Sequence, residues 1–99
     1  MWYAIMATDV SDSNVLRAEQ RTRHLEYVRN LKDQGRLLIA GPHPVVDAPS
    51  PGPAGVSGSL IVADFATLED AREWADRDPY TVSGVFASIE IKPFVRVLP

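Results

Sequence analysis

The clearest signal of the fold is the segment WYAIMATD, residues 2–9, which the polar cluster SDSN follows. It is short for a helix and apolar at both odd and even positions, which is typical of a strand buried on both faces. One face would carry Trp2, Ala4 and Met6, and the other Tyr3, Ile5 and Ala7. A second stretch of this kind is SLIVADF, residues 59–65. We therefore expect two interior strands of one sheet.

Two segments with helical periodicity separate the strands. Residues 14–34 predict a long helix that begins at Asp12, Ser13 or Asn14 and ends before Gly35, a residue suited to a left-handed C-terminal turn. Its expected buried residues are Val15, Ala18, Leu25, Val28 and Leu31. Residues 67–78 predict a second helix that Thr67 caps. Its expected inward residues are Leu68, Ala71, Trp74 and Ala75.

The remaining segments predict two more strands and a long loop. RLLIAG, residues 36–41, reads as a strand that runs into the turn GPHP. Residues 44–57 hold four prolines and two glycines and predict a loop. The segment VFASIEIKPFVRVL, residues 85–98, predicts the last strand.

The resulting order is β-α-β-β-α-β, the split arrangement of an α+β, ferredoxin-like domain with both helices on one face of a four-stranded antiparallel sheet. The first and third strands are central in this arrangement, which explains why both are apolar on two faces. The uncovered face would expose Trp2 or Tyr3 among aliphatic neighbours, a patch too apolar for a monomer. We therefore expect a homodimer that packs sheet against sheet.

The composition restricts the class of protein. Ninety-nine residues make one domain, 1–99, with 45% hydrophobic and 23% charged residues. A net charge of −3 without blocks of like charge argues against nucleic acid or an anionic membrane as the main partner. No secretory leader or membrane-spanning segment is apparent, so we expect a cytoplasmic protein.

His24 lies where a stripe of the first helix changes character. Read from the C-terminal end, the stripe is Leu31, Val28, His24, Arg21 and Arg17, and it changes from aliphatic to basic halfway along. A stripe that becomes cationic in this way suggests a helix that overhangs a cleft. The alternative is a histidine at the margin of the core with two solvated arginines beyond it.

Asp78 is the candidate partner of His24, because a histidine base gains from a carboxylate that fixes its tautomer. Pro79 directly follows Asp78, so the aspartate also suits the N-cap of a short helix. Both interpretations of Asp78 stay open at this point.

Other chemistries find little support. Two histidines, His24 and His43, with no cysteine do not make a metal-binding pattern. Ser59 has no nucleophile-elbow motif around it. No nucleotide, flavin or haem motif is visible, and we expect no metal and no cofactor.

Several segments resemble the YciI-like (YCII-related) family, namely RTRHLEYV, GRLLIAGPHP, GVSGSLIVADF, ADRDPYTVSGVF and IEIKPFVRV. The resemblance covers nearly the whole chain and implies dimeric α/β barrels. It implies a catalytic His24–Asp78 pair. It also implies a substrate cleft lined by Arg21, Gly41, Pro42, Ser59 and Tyr80.

The resemblance leaves the reaction open, since fold alone does not fix a substrate. Some relatives eliminate chloride from hydroxylated rings, which suggests cofactor-independent elimination or isomerisation of a small cyclic or aromatic-derived substrate. An aromatic wall of Tyr80, Phe86 and Trp74 would suit a flat ring. The alternatives are a small-molecule-binding or accessory domain that uses the same cleft without catalysis, and a purely structural adaptor.

Overall fold

The protein is described over all 99 residues by a computed structural model. The elements are β1 (Trp2–Asp9), α1 (Asn14–Asp33), β2 (Leu37–Pro44), β3 (Val56–Asp64), α2 (Leu68–Asp76), α3 (Pro79–Val82) and β4 (Phe86–Phe94). The strands form one antiparallel sheet in the order β2-β3-β1-β4. The expected ferredoxin-like order, with β1 and β3 in the centre, is confirmed. No helix is long and apolar enough to cross a membrane.

The two faces of β1 differ as the sequence suggests. Tyr3, Ile5 and Ala7 are buried, whereas Trp2, Ala4 and Met6 on the other face are half-buried. The hydrophobic core lies between the Tyr3 face and the two long helices, with Leu31 of α1 and Ala71 of α2 among its members. The sheet therefore has one covered and one uncovered face. Trp2, and not Tyr3, is the aromatic residue on the uncovered face.

The helices begin and end close to the expected positions. Thr67 caps α2, since its hydroxyl accepts a hydrogen bond from the Asp70 N–H at 3.0 Å. Gly35 follows α1 with φ of 71°, the left-handed conformation that glycine tolerates. Three positions expected to be buried are wrong, however. Val15 is 68% exposed and Ala18 is exposed as well, because both lie on the side of α1 away from its buried residues His24, Val28 and Leu31. Leu68, the first residue of α2, is 47% exposed.

The strands β2 and β3 are longer than expected. The predicted turn GPHP is wrong, because Gly41–Pro44 continues β2, with Pro42 opposite Ser59 and His43 opposite Gly58. β2 is an edge strand, and proline is compatible with an edge because it has no N–H to donate to a neighbour. β3 begins at Val56, three residues before the expected start. This longer ladder places Pro42 and Ser59 side by side.

Candidate functional site

A cavity of about 250 Å³ lies between α1, the second half of β2, β3 and α3. Its apolar wall contains Leu25, Val28, Ala40, Pro42 and Ile61. Its polar lining contains Arg17, Arg21, His24, Ser59 and Tyr80. A cavity of about 150 Å³ can hold benzene, so this one has room for a six-membered ring with small substituents.

His24 and Asp78 are brought together from positions 54 residues apart. The imidazole Nδ1 lies 2.7 Å from Asp78 Oδ1. Asp78 is 1% exposed and His24 is 9% exposed. A carboxylate accepts hydrogen bonds only, so Nδ1 carries the proton and Nε2 is the basic nitrogen of the neutral ring. Nε2 has no hydrogen-bond partner within the protein and is available to a ligand.

The two interpretations of Asp78 are both true of the structure. Asp78 is the N-cap of α3, and its Oδ1 accepts a hydrogen bond from the Tyr80 N–H at 2.9 Å. Pro79 occupies the first helical turn, where its missing N–H costs nothing. The same oxygen therefore caps the helix and holds His24. Because the cap fixes the carboxylate, it also fixes the orientation of the imidazole.

Tyr80 forms one side of the His24 environment. Its ring stacks on the imidazole with centroids 3.9 Å apart and planes inclined by 8°. The Tyr80 hydroxyl donates to the Arg17 carbonyl at 3.3 Å. Burial raises the pKa of the Tyr80 phenol above its usual range, with a smaller contribution from Asp78, although Arg17 and Arg21 act in the opposite direction. Tyr80 therefore lies in the site as a neutral aromatic surface.

Arg17 and Asp9 form an ion pair that sequence reasoning missed. Arg17 Nε and Nη2 donate to the two oxygens of Asp9 at 2.6 and 2.9 Å, and the Asp9 side chain is 1% exposed. The Arg17 guanidinium also lies 4.8 Å from the centre of the Tyr80 ring. Its place on the basic stripe of α1 was the available signal. The partner at the end of β1 gave none, because no local pattern connects the two residues.

Arg21 differs from Arg17 in having no acidic partner. It is exposed, lines the cavity, and forms no ion pair or side-chain hydrogen bond in the structure. Of the two arginines in the cavity, only Arg21 therefore presents an uncompensated positive charge. Such a charge favours an anionic ligand, or one in which negative charge develops.

The strand residues bring the cavity close to the centre of the sheet. Gly41 and Pro42 line the cavity from β2, and Ser59, 5% exposed, lines it from β3. Gly58 precedes Ser59 because β1 passes very close: a Cβ at this position would lie 2.0 Å from the Ala7 carbonyl oxygen. This approach fixes the backbone from which the Ser59 side chain projects.

Some expected features of the cleft are absent or lie elsewhere. Trp74 does not line the cavity; its ring stacks on the Tyr27 ring, with centroids 4.8 Å apart. Phe86 is not among the lining residues either; its ring meets the Tyr80 ring edge-on, with centroids 5.7 Å apart. The proline-rich loop borders a neighbouring pocket of about 290 Å³ through Pro51 and Gly55. No group of three or more histidine or acidic side chains is arranged to hold a metal ion.

Comparisons with known proteins agree in pointing to one family. A model of the YCII-related domain matches residues 1–95. Protein YciI of Escherichia coli is 47% identical over 97 residues, which cover 98% of this chain and 99% of the relative. An uncharacterized protein of Haemophilus influenzae is 40% identical over the same length.

A solved structure is similar to the whole chain. It is the 5-chloro-2-hydroxyhydroquinone dehydrochlorinase of Burkholderia phenoliruptrix in complex with 2,5-dihydroxybenzoquinone. The TM-score is 0.85, and the match covers 96% of this chain and 94% of the other. At 21% sequence identity, this likeness establishes the fold.

Proposed function

The chain belongs to the YCII-related domain family, and on that premise we propose that it is an enzyme that removes a proton from a small hydroxylated ring without a cofactor. The observation that carries the proposal is the buried 2.7 Å hydrogen bond between His24 and Asp78 at the wall of a ring-sized cavity. A histidine held in this way is a good general base near neutral pH. The class of reaction is elimination or isomerisation.

In the proposed mechanism, His24 Nε2 takes a proton from a ring hydroxyl or from an activated ring carbon. The electron pair released moves into the ring, and a ring carbon takes up a proton from the imidazolium, which shifts a double bond and gives a keto tautomer. Where that carbon carries a leaving group such as chloride, His24 removes a second hydroxyl proton, and the pair released expels the chloride and leaves a quinone. Asp78 stabilises the imidazolium through its hydrogen bond to Nδ1. Arg21 stabilises the negative charge that develops on the substrate oxygen. After chloride loss, the imidazolium returns its proton to water.

The remaining lining residues serve substrate binding in this proposal. The faces of Tyr80 and Pro42 suit a flat ring. Gly41 has no side chain, and the space that a Cβ would occupy there is open, with no atom within 4 Å. Ser59 supplies a polar group beside Pro42, on the neighbouring strand β3. Because the dehydrochlorinase of the same fold was solved with a dihydroxybenzoquinone, chlorinated hydroxyhydroquinones are the first substrates to test.

We further propose that the protein is a homodimer that packs through the uncovered sheet face. Trp2 is half-buried on that face, and Phe94, 39% exposed, lies opposite it on β4. An obligate interface of this type buries on the order of 2,000 Å² or more. A second sheet would cover these side chains.

The test of the function measures chloride release and ring absorbance with 5-chloro-2-hydroxyhydroquinone. His24→Ala should lower turnover by roughly 10²- to 10⁴-fold, the usual contribution of a positioned base. His43→Ala is the matched control, because His43 lies on β2 outside the cavity lining.

A non-catalytic binding domain is the second candidate, and the unpaired Arg21 at the cavity favours it equally. A binding domain would take up 2,5-dihydroxybenzoquinone without any turnover of the chlorinated compound. Its affinity would fall in Arg21→Gln and stay nearly constant in His24→Ala. Turnover that His24→Ala leaves intact would exclude the proposed mechanism.

A further inference from the structure

The hydrogen of the Ser59 hydroxyl has no acceptor within the protein. Arg17 Nη2 lies 2.9 Å from Ser59 Oγ. A guanidinium can only donate, so Ser59 Oγ is the acceptor in this contact. The hydroxyl hydrogen then has to be donated elsewhere, and no protein atom accepts it. Since Ser59 is 5% exposed and lines the cavity, the cavity is where that hydrogen is directed.

The orientation of the hydroxyl depends on how firmly Arg17 is held. Asp9 accepts two hydrogen bonds from Arg17 and a third from the Ser13 hydroxyl at 2.6 Å. The Asp9 carboxylate comes from the end of β1, next to the strand that carries Ser59. With its charge neutralised and its plane fixed by this pair, Arg17 acts as a rigid donor to Ser59.

We infer that Ser59 is a second donor to the oxygen that becomes negatively charged on the substrate, and that Arg17 and Asp9 are positioning residues that aim its hydroxyl. The inference rests on the proposed function only in taking this cavity as the substrate site. The ligand class that follows is an enolate or phenolate of a six-membered ring. A pre-oriented donor of this kind stabilises the anion without reorganisation.

The test uses 4-nitrophenol, whose phenol and phenolate forms differ in absorbance, so that the ionisation of the bound probe can be followed directly. Wild-type protein should bind the phenolate more tightly than the phenol. In Ser59→Ala this preference should fall roughly tenfold, because a hydrogen bond to a charged acceptor is about twice as strong as one to a neutral acceptor. An unchanged preference in Ser59→Ala, or equal binding of both forms by the wild type, would overturn the inference.

Two further variants separate a lost hydrogen bond from a damaged fold. Ser59→Thr keeps the hydroxyl and should retain most of the phenolate preference. Ser57→Ala, on the same strand but outside the cavity lining, should behave as the wild type. A threonine variant that folds but binds as poorly as alanine would count against the hydroxyl.

A double-mutant cycle tests the positioning role of Arg17. Lysine can still pair with Asp9 but lacks the second arm that reaches Ser59. Arg17→Lys should therefore lower the phenolate preference in the wild type and have little effect in Ser59→Ala. An equal effect in both backgrounds would mean that Arg17 contacts the ligand itself, and the relay would be wrong.

The same measurement distinguishes this inference from the proposed reaction. In His24→Ala, turnover is lost by design, yet adding Ser59→Ala to that variant should still weaken 4-nitrophenolate binding. If the wild type fails to turn over any ring substrate while the effect of Ser59→Ala on binding persists, the reaction is wrong and the donor stands. If turnover is found and that effect is missing, the donor is wrong and the reaction stands.

Discussion

Asp78→Asn tests most directly how one buried oxygen serves two structural roles. Oδ1 accepts from the Tyr80 N–H at 2.9 Å and contacts His24 Nδ1 at 2.7 Å. Asparagine keeps an acceptor oxygen of the same shape and caps helices about as well as aspartate. The free energy of unfolding should therefore change by less than about 0.5 kcal/mol. The substitution removes the negative charge and replaces Oδ2 by an amide NH2 group.

The loss of that charge should be large in catalysis. In serine proteases, replacing the aspartate of the catalytic triad by asparagine costs about 10⁴ in kcat while the geometry stays intact. For a side chain as buried as Asp78, a loss of roughly 10² to 10⁴ in turnover is expected, equal to about 3 to 5 kcal/mol of transition-state stabilisation. In this one variant, the loss of transition-state stabilisation should therefore exceed the change in the free energy of unfolding by several kcal/mol.

The assay combines urea denaturation, turnover and ¹⁵N NMR of the two histidines. In the wild type, His24 should show the tautomer with the proton on Nδ1, whereas His43, which is exposed, should not be restricted in this way. Asp78→Asn should weaken that preference. Asp78→Ala should also lose about 1 kcal/mol of stability with the cap.

Asp76→Asn is the matched control, since Asp76 is exposed at the end of α2. If Asp78→Asn kept both the His24 tautomer and the wild-type turnover, Asp78 would be only a cap and the dyad would be refuted.

Gly58→Ala should lower the free energy of unfolding by about 1 to 3 kcal/mol or more, because the added Cβ would lie 2.0 Å from the Ala7 carbonyl oxygen. In the same urea titration, Gly41→Ala should change the free energy of unfolding by less than about 0.5 kcal/mol, because the space around its Cβ is open. Burial, followed by the nearby Asp78, raises the pKa of the Tyr27 phenol from 10.0 to about 12. As pH rises, the phenol of the unfolded chain loses its proton first. The protonated phenol therefore stabilises the folded state below pH 10, and this contribution to the free energy of unfolding is lost as pH rises to about 12. Tyr27→Phe should flatten this part of the plot of stability against pH. Trp2→Glu should shift sedimentation from dimer to monomer, and a wild type that sediments as a monomer would contradict the sheet-to-sheet interface.

Much of the fold follows from local signals. The two-sided apolar stretches predict β1 and β3 in the centre of the sheet, and Thr67 and Gly35 mark helix boundaries that the structure confirms. The Asp78–Pro79 pair predicts the start of α3. These signals work because strand pairing, capping and left-handed turns depend on neighbours a few residues away.

Other features needed the tertiary structure. Val15 was expected to be buried and is 68% exposed, because it lies on the side of α1 opposite His24, and the packing of the helix on the sheet decides which side is covered. GPHP has the composition of a turn, yet pairing with β3 keeps it extended. In the GPHP segment a long-range contact overrides a local preference.

The candidate site shows the same division more sharply. The periodicity of α1 predicts a stripe that changes from aliphatic to basic, and resemblance to a family pairs His24 with Asp78. The folded protein shows that Asp9 neutralises Arg17 whereas Arg21 is unpaired, although both arginines belong to the same stripe and no local pattern separates them. The physical reason is that the charge state of a site depends on which side chains meet across the fold. Asp9 and Ser59 reach Arg17 from two neighbouring strands that no periodicity relates to the helix.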